Sequence, residues 1–254
     1  MRSAKYSCVL LLFIYIVPSF SLITMANLKL KDKTLKLTVP LRKPISPPLI
    51  EPLRYCLKPK VVTLTFDDGP DASITQKVVE MCKKLKIPAT FFQVGDNIDR
   101  YPLISRYIHD NRFVIAGHSK SHASANNTAP EQLTKDIESG AQSILNAIGK
   151  QSVYYRPPYG DYTNDSMAVW NNLGYLAIKW SVDTKDWSSD STNITVIEHI
   201  KDKLLLDSNN GHILLCHDSH HSCFAALSEI KSTFISYGYR FVTMEECIGV
   251  SPYA

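Results

Sequence analysis

The 254-residue chain has no repeat period, no low-complexity tract and no long stretch of one charge. Solenoid, fibrous and disordered architectures are thereby excluded. At 44% hydrophobic residues the composition is that of a globular chain, and one main domain is expected. No segment beyond the first twenty or so residues is apolar enough to span a bilayer. The final Val250-Ser-Pro-Tyr-Ala254 lacks the apolar tail of a lipid-anchor signal.

What is present begins with a charged and then apolar N-terminus. Arg2 and Lys5 precede an apolar run from Val9 to Val17 and then Pro18-Ser-Phe-Ser21, the pattern of a secretory signal peptide over residues 1–21. The expected location is secreted, extracellular or in a cell wall, with membrane attachment only if this segment stays uncleaved. Cys8 lies in it, leaving Cys56, Cys82, Cys216, Cys223 and Cys247. Five is odd, so at least one is expected to be unpaired. A bridge between Cys56 and Cys247 would staple the two ends of the domain. The sequons at Asn126, Asn164 and Asn193 suit a secreted glycoprotein.

The net charge of +4 is unevenly spread. Residues 27–60 carry nine Lys or Arg against Asp32 and Glu51, a net +7, whereas the chain from 61 onward is at −5. Residues 22–57 read as a basic extension that packs a strand on the domain or meets an anionic polymer or lipid surface. Residues 58–254 read as the catalytic domain. Nucleic acid is not expected as a partner, given the secretion signal and the acidic domain, and a monomer is expected.

From residue 61, β-rich runs alternate with amphipathic stretches. Strands are expected at 61–66, 89–94, 113–117, 153–156, 176–182, 212–216 and 239–243. Helices are expected near 73–86, 100–111, 130–148, 163–174, 194–206 and 221–237, with Asp71 or Ser73, Pro130 and Asn193 marking starts. This is an α/β chain, fitting a closed or nearly closed (β/α) barrel of about seven parallel strands, with a doubly wound open sheet as the alternative. Either architecture binds ligands at the carboxyl ends of its strands. There the sequence places Asp67-Asp-Gly-Pro70, Gly117-His-Ser-Lys-Ser-His122, Arg156-Pro-Pro-Tyr-Gly160, Asp183-Thr-Lys-Asp-Trp187 and His217-Asp218.

These residue types permit a hydrolytic metal site. His118 and His122 stand four apart, which on a helical turn puts both imidazoles on one face. Ser119 occupies the position of the zinc-peptidase Glu, which disfavours peptide hydrolysis. Asp68 or Asp67 can supply the third ligand, leaving the other carboxylate as general base toward water. Arg156 can hold a carboxylate in a two-pronged pair, or simply cap a buried one. His217 is an ordinary core histidine unless a carboxylate such as Asp183 holds its tautomer and raises its pKa, as a general acid needs. Trp187 and Leu215 can wall an apolar pocket, and main-chain N–H groups around Tyr159 can face a developing oxyanion.

Taken together, the five segments resemble the polysaccharide deacetylases of carbohydrate esterase family 4, which share the NodB-homology domain. Thr65-Phe-Asp-Asp-Gly-Pro70, His118-Ser-Lys-Ser-His122, Arg156-Pro-Pro-Tyr-Gly160, Asp183-Thr-Lys-Asp-Trp187 and Leu215-Cys-His217 match its five motifs in order. The resemblance implies a distorted (β/α) barrel and metal-dependent removal of N-acetyl groups from a sugar polymer. It implies Asp67 as base, Asp68, His118 and His122 on the metal, zinc or sometimes cobalt, and Arg156 orienting Asp67. It further implies His217 as acid supported by Asp183, the Tyr159 N–H at the oxyanion, and Trp187 and Leu215 around the acetyl methyl. The expected substrate is an acetylated glycan of a cell wall or extracellular matrix, with chitin or chitooligosaccharide preferred. The alternatives are another acetylated glycan, or a wall-binding protein with an intact metal site and little turnover.

Overall fold

The structure is a computed structural model that describes residues 42–253. The expected signal segment, Cys8 and residues 22–41 of the basic extension lie outside the described residues. No helix among the described residues is long and apolar enough to cross a membrane.

Nine strands and eight helices follow one another as β1 (Tyr55–Cys56), β2 (Val61–Asp67), α1 (Thr75–Leu85), β3 (Ala89–Gln93), α2 (Gly95–Arg100), α3 (Pro102–Asp110), β4 (Val114–Gly117), α4 (Pro130–Ile148), β5 (Tyr154–Tyr155), α5 (Asn164–Asn172), β6 (Leu176–Ala177), β7 (Val182–Asp183), α6 (Asn193–Leu206), β8 (Gly211–His217), α7 (His221–Ser236), β9 (Arg240–Phe241) and α8 (Met244–Ile248) among the described residues. The parallel path runs β7, β8, β2, β3, β4, β5, β6, and β9 pairs parallel with the start of β2.

The path explains the barrel. β6 and β7 hold its opposite edges, yet only residues 178–181 separate them in the chain. Such a link reaches at most about 17 Å, so the edges are drawn together and the sheet curls. The stretch expected as one strand over 176–182 is therefore two short strands, one on each edge. Residues 53–56 bridge the seam at its base: Leu53 pairs with Ile178, and β1 runs antiparallel to β8. This part of the expected extension thus packs on the barrel, where Cys56 and Cys247 form a disulfide.

Alternation along the strands separates two cores. Val62, Leu64 and Phe66 of β2 pack outward with α1 and α7. Phe92, Ala116, Tyr154 and Ile213 belong to a second cluster with Met244 and Ile248 of α8, at the base of the barrel. Thr65 and Asp67 alternate with the outward set. Helix starts differ slightly from expectation: Thr192, not Asn193, caps α6 in a reciprocal pair with Thr195, because its hydroxyl accepts from the Thr195 N–H.

Candidate active site

Asp67 ends β2 facing inward, and Arg156, just past β5, lies fully buried beneath it. One guanidinium nitrogen donates to Asp67 Oδ1 and to Thr65 Oγ1, both at 2.7 Å. The remaining donors reach the carbonyls of Ile178 (3.3 Å) and Lys179 (3.1 Å), and the guanidinium lies 4.1 Å from the Phe92 ring centre. Buried ion pairs contribute little net stability but fix geometry. Here one carboxylate oxygen is fixed, and Asp67 Oδ2 stands 3.9 Å from His118 Nε2.

Asp68 leaves the strand at φ 74° and turns the other way. Its Oδ1 lies 3.2 Å from His118 Nε2 and 3.1 Å from His122 Nε2. The two histidines are on a loop rather than on the helical turn expected. Left-handed backbone at Ser119 and His122 folds the loop back and brings the rings to 4.9 Å between centres. His118 Nδ1 donates to the Arg156 carbonyl at 2.8 Å, which orients the ring so that Nε2 is the atom facing Asp68.

Neighbouring helices clamp this loop. Asp136 of α4 accepts from the N–H groups of Lys120 and Ser121, and the Lys120 ammonium meets Asp96 at 3.1 Å and also Asp99. Gly140 of α4 lies directly under Ser119, where a Cβ would come within 2.8 Å of its carbonyl oxygen.

The local field favours positive charge. Burial opposes ionisation of Asp68, but hydrogen bonds from His118 and His122 hold its carboxyl well below the usual range. Burial likewise lowers the proton affinity of His118, and Asp67 with Asp68 more than offsets it. One carboxylate and two imidazole nitrogens within 4.8 Å of one another are a donor set for a divalent cation.

His217 ends β8 across the cleft, its Nε2 4.0 Å from Asp68 Oδ2. Its carboxylate partner differs from expectation. Asp186, not Asp183, accepts from Nδ1 at 2.7 Å and from the His217 backbone N–H at 2.7 Å. Lys185 at φ 51° reverses the chain, so Asp183 accepts from its own Lys185 N–H while Asp186 points back to β8. Burial would lower the His217 pKa, but the bond to Asp186 raises it to about 9.

A cleft of about 410 Å³ joins these groups, lined by Asp67, Asp68, His118, His122, Tyr159, Asp183, Leu215 and His217 together with Trp180 and Trp187. All the residues singled out from the sequence converge here, with Arg156 below the floor and Asp183 on the wall. Sequence reasoning missed Trp180 and the role of Asp186, although the second carboxylate of Asp-Thr-Lys-Asp was visible. Trp187 is 53% exposed and Tyr159 65%. Tyr159 takes φ 60°, and its hydroxyl lies 3.2 Å from His122 Nδ1.

Comparison with known proteins follows the same lines. A family model described as polysaccharide deacetylase matches residues 54–178. A peptidoglycan-N-acetylglucosamine deacetylase of Bacillus cereus is 31% identical over 195 residues, 74% of this chain and 88% of that protein. A chitooligosaccharide deacetylase of Azorhizobium caulinodans is 31% identical over 171 residues, 67% and 79% of the two chains. The chitin deacetylase of Colletotrichum lindemuthianum superposes with a TM-score of 0.76 at 27% identity, covering 82% of this chain and 96% of that one. The chain therefore belongs to the polysaccharide deacetylase family, amide hydrolases of N-acetylated sugars.

Proposed function

We propose that this protein is secreted and removes N-acetyl groups from the N-acetylglucosamine units of a wall polymer, with chitin or its oligomers as the substrate. One observation carries the chemistry: Asp67, the Asp68–His118–His122 set and the Asp186-held His217 face one another across a single cleft. The relatives named for peptidoglycan N-acetylglucosamine and for chitooligosaccharide share that sugar unit. The disulfide and the exposed asparagines of all three sequons support a location outside the cell.

Asp68, His118 and His122 would hold the divalent ion, zinc first and cobalt second, because a carboxylate with two neutral imidazoles suits either. When bound, the ion supplies Lewis-acid polarisation and an acidified water. Asp67, held through one oxygen by Arg156, takes a proton from the attacking water with the other. The Tyr159 N–H faces the oxyanion, Leu215 and Trp187 enclose the acetyl methyl, and Asp183 lines the wall. His217, charged at neutral pH through Asp186, gives its proton to the leaving amine.

Acetate release tests the reading. Purified protein with added zinc or cobalt is expected to release acetate from chitin oligomers, and Asp67→Asn to abolish it. Release from peptidoglycan alone would replace the substrate; release unaffected by Asp67→Asn would overturn the mechanism. No release from any acetylated glycan, with metal still bound, would favour a wall-binding protein.

A further inference from the structure

Behind His217 lies a donor set that deacetylation leaves unused. Residues of β8 alternate, so where Leu215 and His217 face the cleft, Cys216 faces the helices. There it meets Cys223 in the first turn of α7, and Asp186 reaches the same point from the loop after β7. One sulfur from each cysteine and one Asp186 oxygen all lie within 4.8 Å of one another, and all three residues are buried. Both cysteines are unbonded, and Cys82 of α1 belongs to the same cluster.

A buried cysteine alone is a small apolar residue. Two thiols beside one desolvated carboxylate are the donors that thiophilic ions select. Three donors that share one ion at about 2.3 Å stand about 3.8–4.0 Å apart pairwise, so a closure of about 1 Å or less brings the set onto an ion. Asp186 accepts one bond from His217 at each oxygen and keeps a lone pair on each.

We propose that Cys216, Cys223 and Asp186 form a site for a soft divalent cation, separate from the Asp68–His118–His122 set, whose occupation weakens the hold of the Asp186 charge on His217 and slows turnover. Both thiols release their protons to solvent as the sulfur–metal bonds form, without change of oxidation state. The ion enters by opening of the first turn of α7, whose N-cap His220 makes no side-chain cap bond. Binding stands on the cluster alone; the inhibition rests on His217 as proton donor.

Cadmium is the probe, with the full zinc-loaded chain carrying Cys8→Ser. The expected result is an ultraviolet thiolate-to-cadmium charge-transfer band that saturates with release of about two protons per ion. Cadmium at the carboxylate and imidazole set gives no such band. With the band, kcat is expected to fall roughly tenfold or more, within the contribution of a general acid, with KM unchanged. Cys223→Ala and the volume-keeping Cys216→Val are each expected to lose the band, and Cys223→Ala to keep basal turnover without inhibition. No band in the parent protein, or a band that survives both substitutions, overturns the site. A band with turnover unchanged overturns the coupling to His217. A band without acetate release from any glycan counts against the deacetylase reading and leaves the site standing.

Discussion

Replacing Asp186 with Asn tests which carboxylate supports His217. The Asp186 carboxylate accepts two short bonds from His217, through Nδ1 and the backbone N–H. Asn keeps the size but turns an NH₂ toward one of those donors and removes the charge. The His217 pKa is raised from 6.5 to about 9, with Asp186 the largest contribution opposing burial. At 1.36 kcal/mol per unit that is about 3 kcal/mol between protonation states. Asp67 and Asp68 supply part of it, so a shift of roughly 1–2 units is expected on losing Asp186. The acid form works below the pKa, hence the basic limb of kcat/KM moves toward acid. If the pKa falls to about 7, the protonated fraction at pH 8 drops from about 0.9 to about 0.1. Beyond any uniform loss, rates at pH 8 should fall about tenfold relative to pH 6. Asp183→Asn should leave the limb in place. An unmoved limb in Asp186→Asn, a limb moved by Asp183→Asn, or a limb that survives His217→Ala refutes the assignment.

The other expectations concern the opposite wall and the frame. Asp67→Asn should lower kcat by about 10²–10⁴ while zinc stays bound, as elemental analysis would read. Asp68→Ala should lose the ion itself, and a chelator should stop acetate release until zinc or cobalt is returned. Gly140→Ala places a methyl against the Ser119 carbonyl and should displace the histidine loop, weakening metal binding by roughly 10–100-fold in competition with a chromophoric chelator. Cys56→Ser with Cys247→Ser opens a loop spanning a separation of 191 residues and should cost about 4–5 kcal/mol in urea unfolding.

The barrel was legible because its central strands β2, β3, β4 and β8 are largely apolar runs set between amphipathic stretches, and these fall within about a residue or two of expectation. The misjudged parts have local causes. Gly95-Asp-Asn-Ile-Asp-Arg100 is too short for helical periodicity to register, yet α2 forms there, with the Gly95 and Asp96 N–H groups donating to the Ser119 and Lys120 carbonyls. The run 176–182 reads as one strand, but its ends pair with opposite sheet edges, a demand of closure that no window of sequence contains.

The two acidic pairs show where such reasoning stops. In Asp67-Asp68 the first carboxylate still belongs to the strand, so alternation correctly separates it from its neighbour. In Asp183-Thr-Lys-Asp186 the strand ends on Asp183, three residues before the second carboxylate, and a left-handed Lys185 decides which carboxylate returns to His217. Alternation says nothing past a strand end, and a lysine carries no signature of positive φ as glycine does. The same geometry sets a limit on the cleft. Five non-glycine residues at its edge, Asp68, Ser119, His122, Tyr159 and Lys185, adopt left-handed backbone, at a cost of order 1–3 kcal/mol each when strained. That cost is borne by the clamps around them, Arg156 under β2 and α4 under the histidine loop. Substitutions in those clamps should therefore reach the chemistry before they reach the fold.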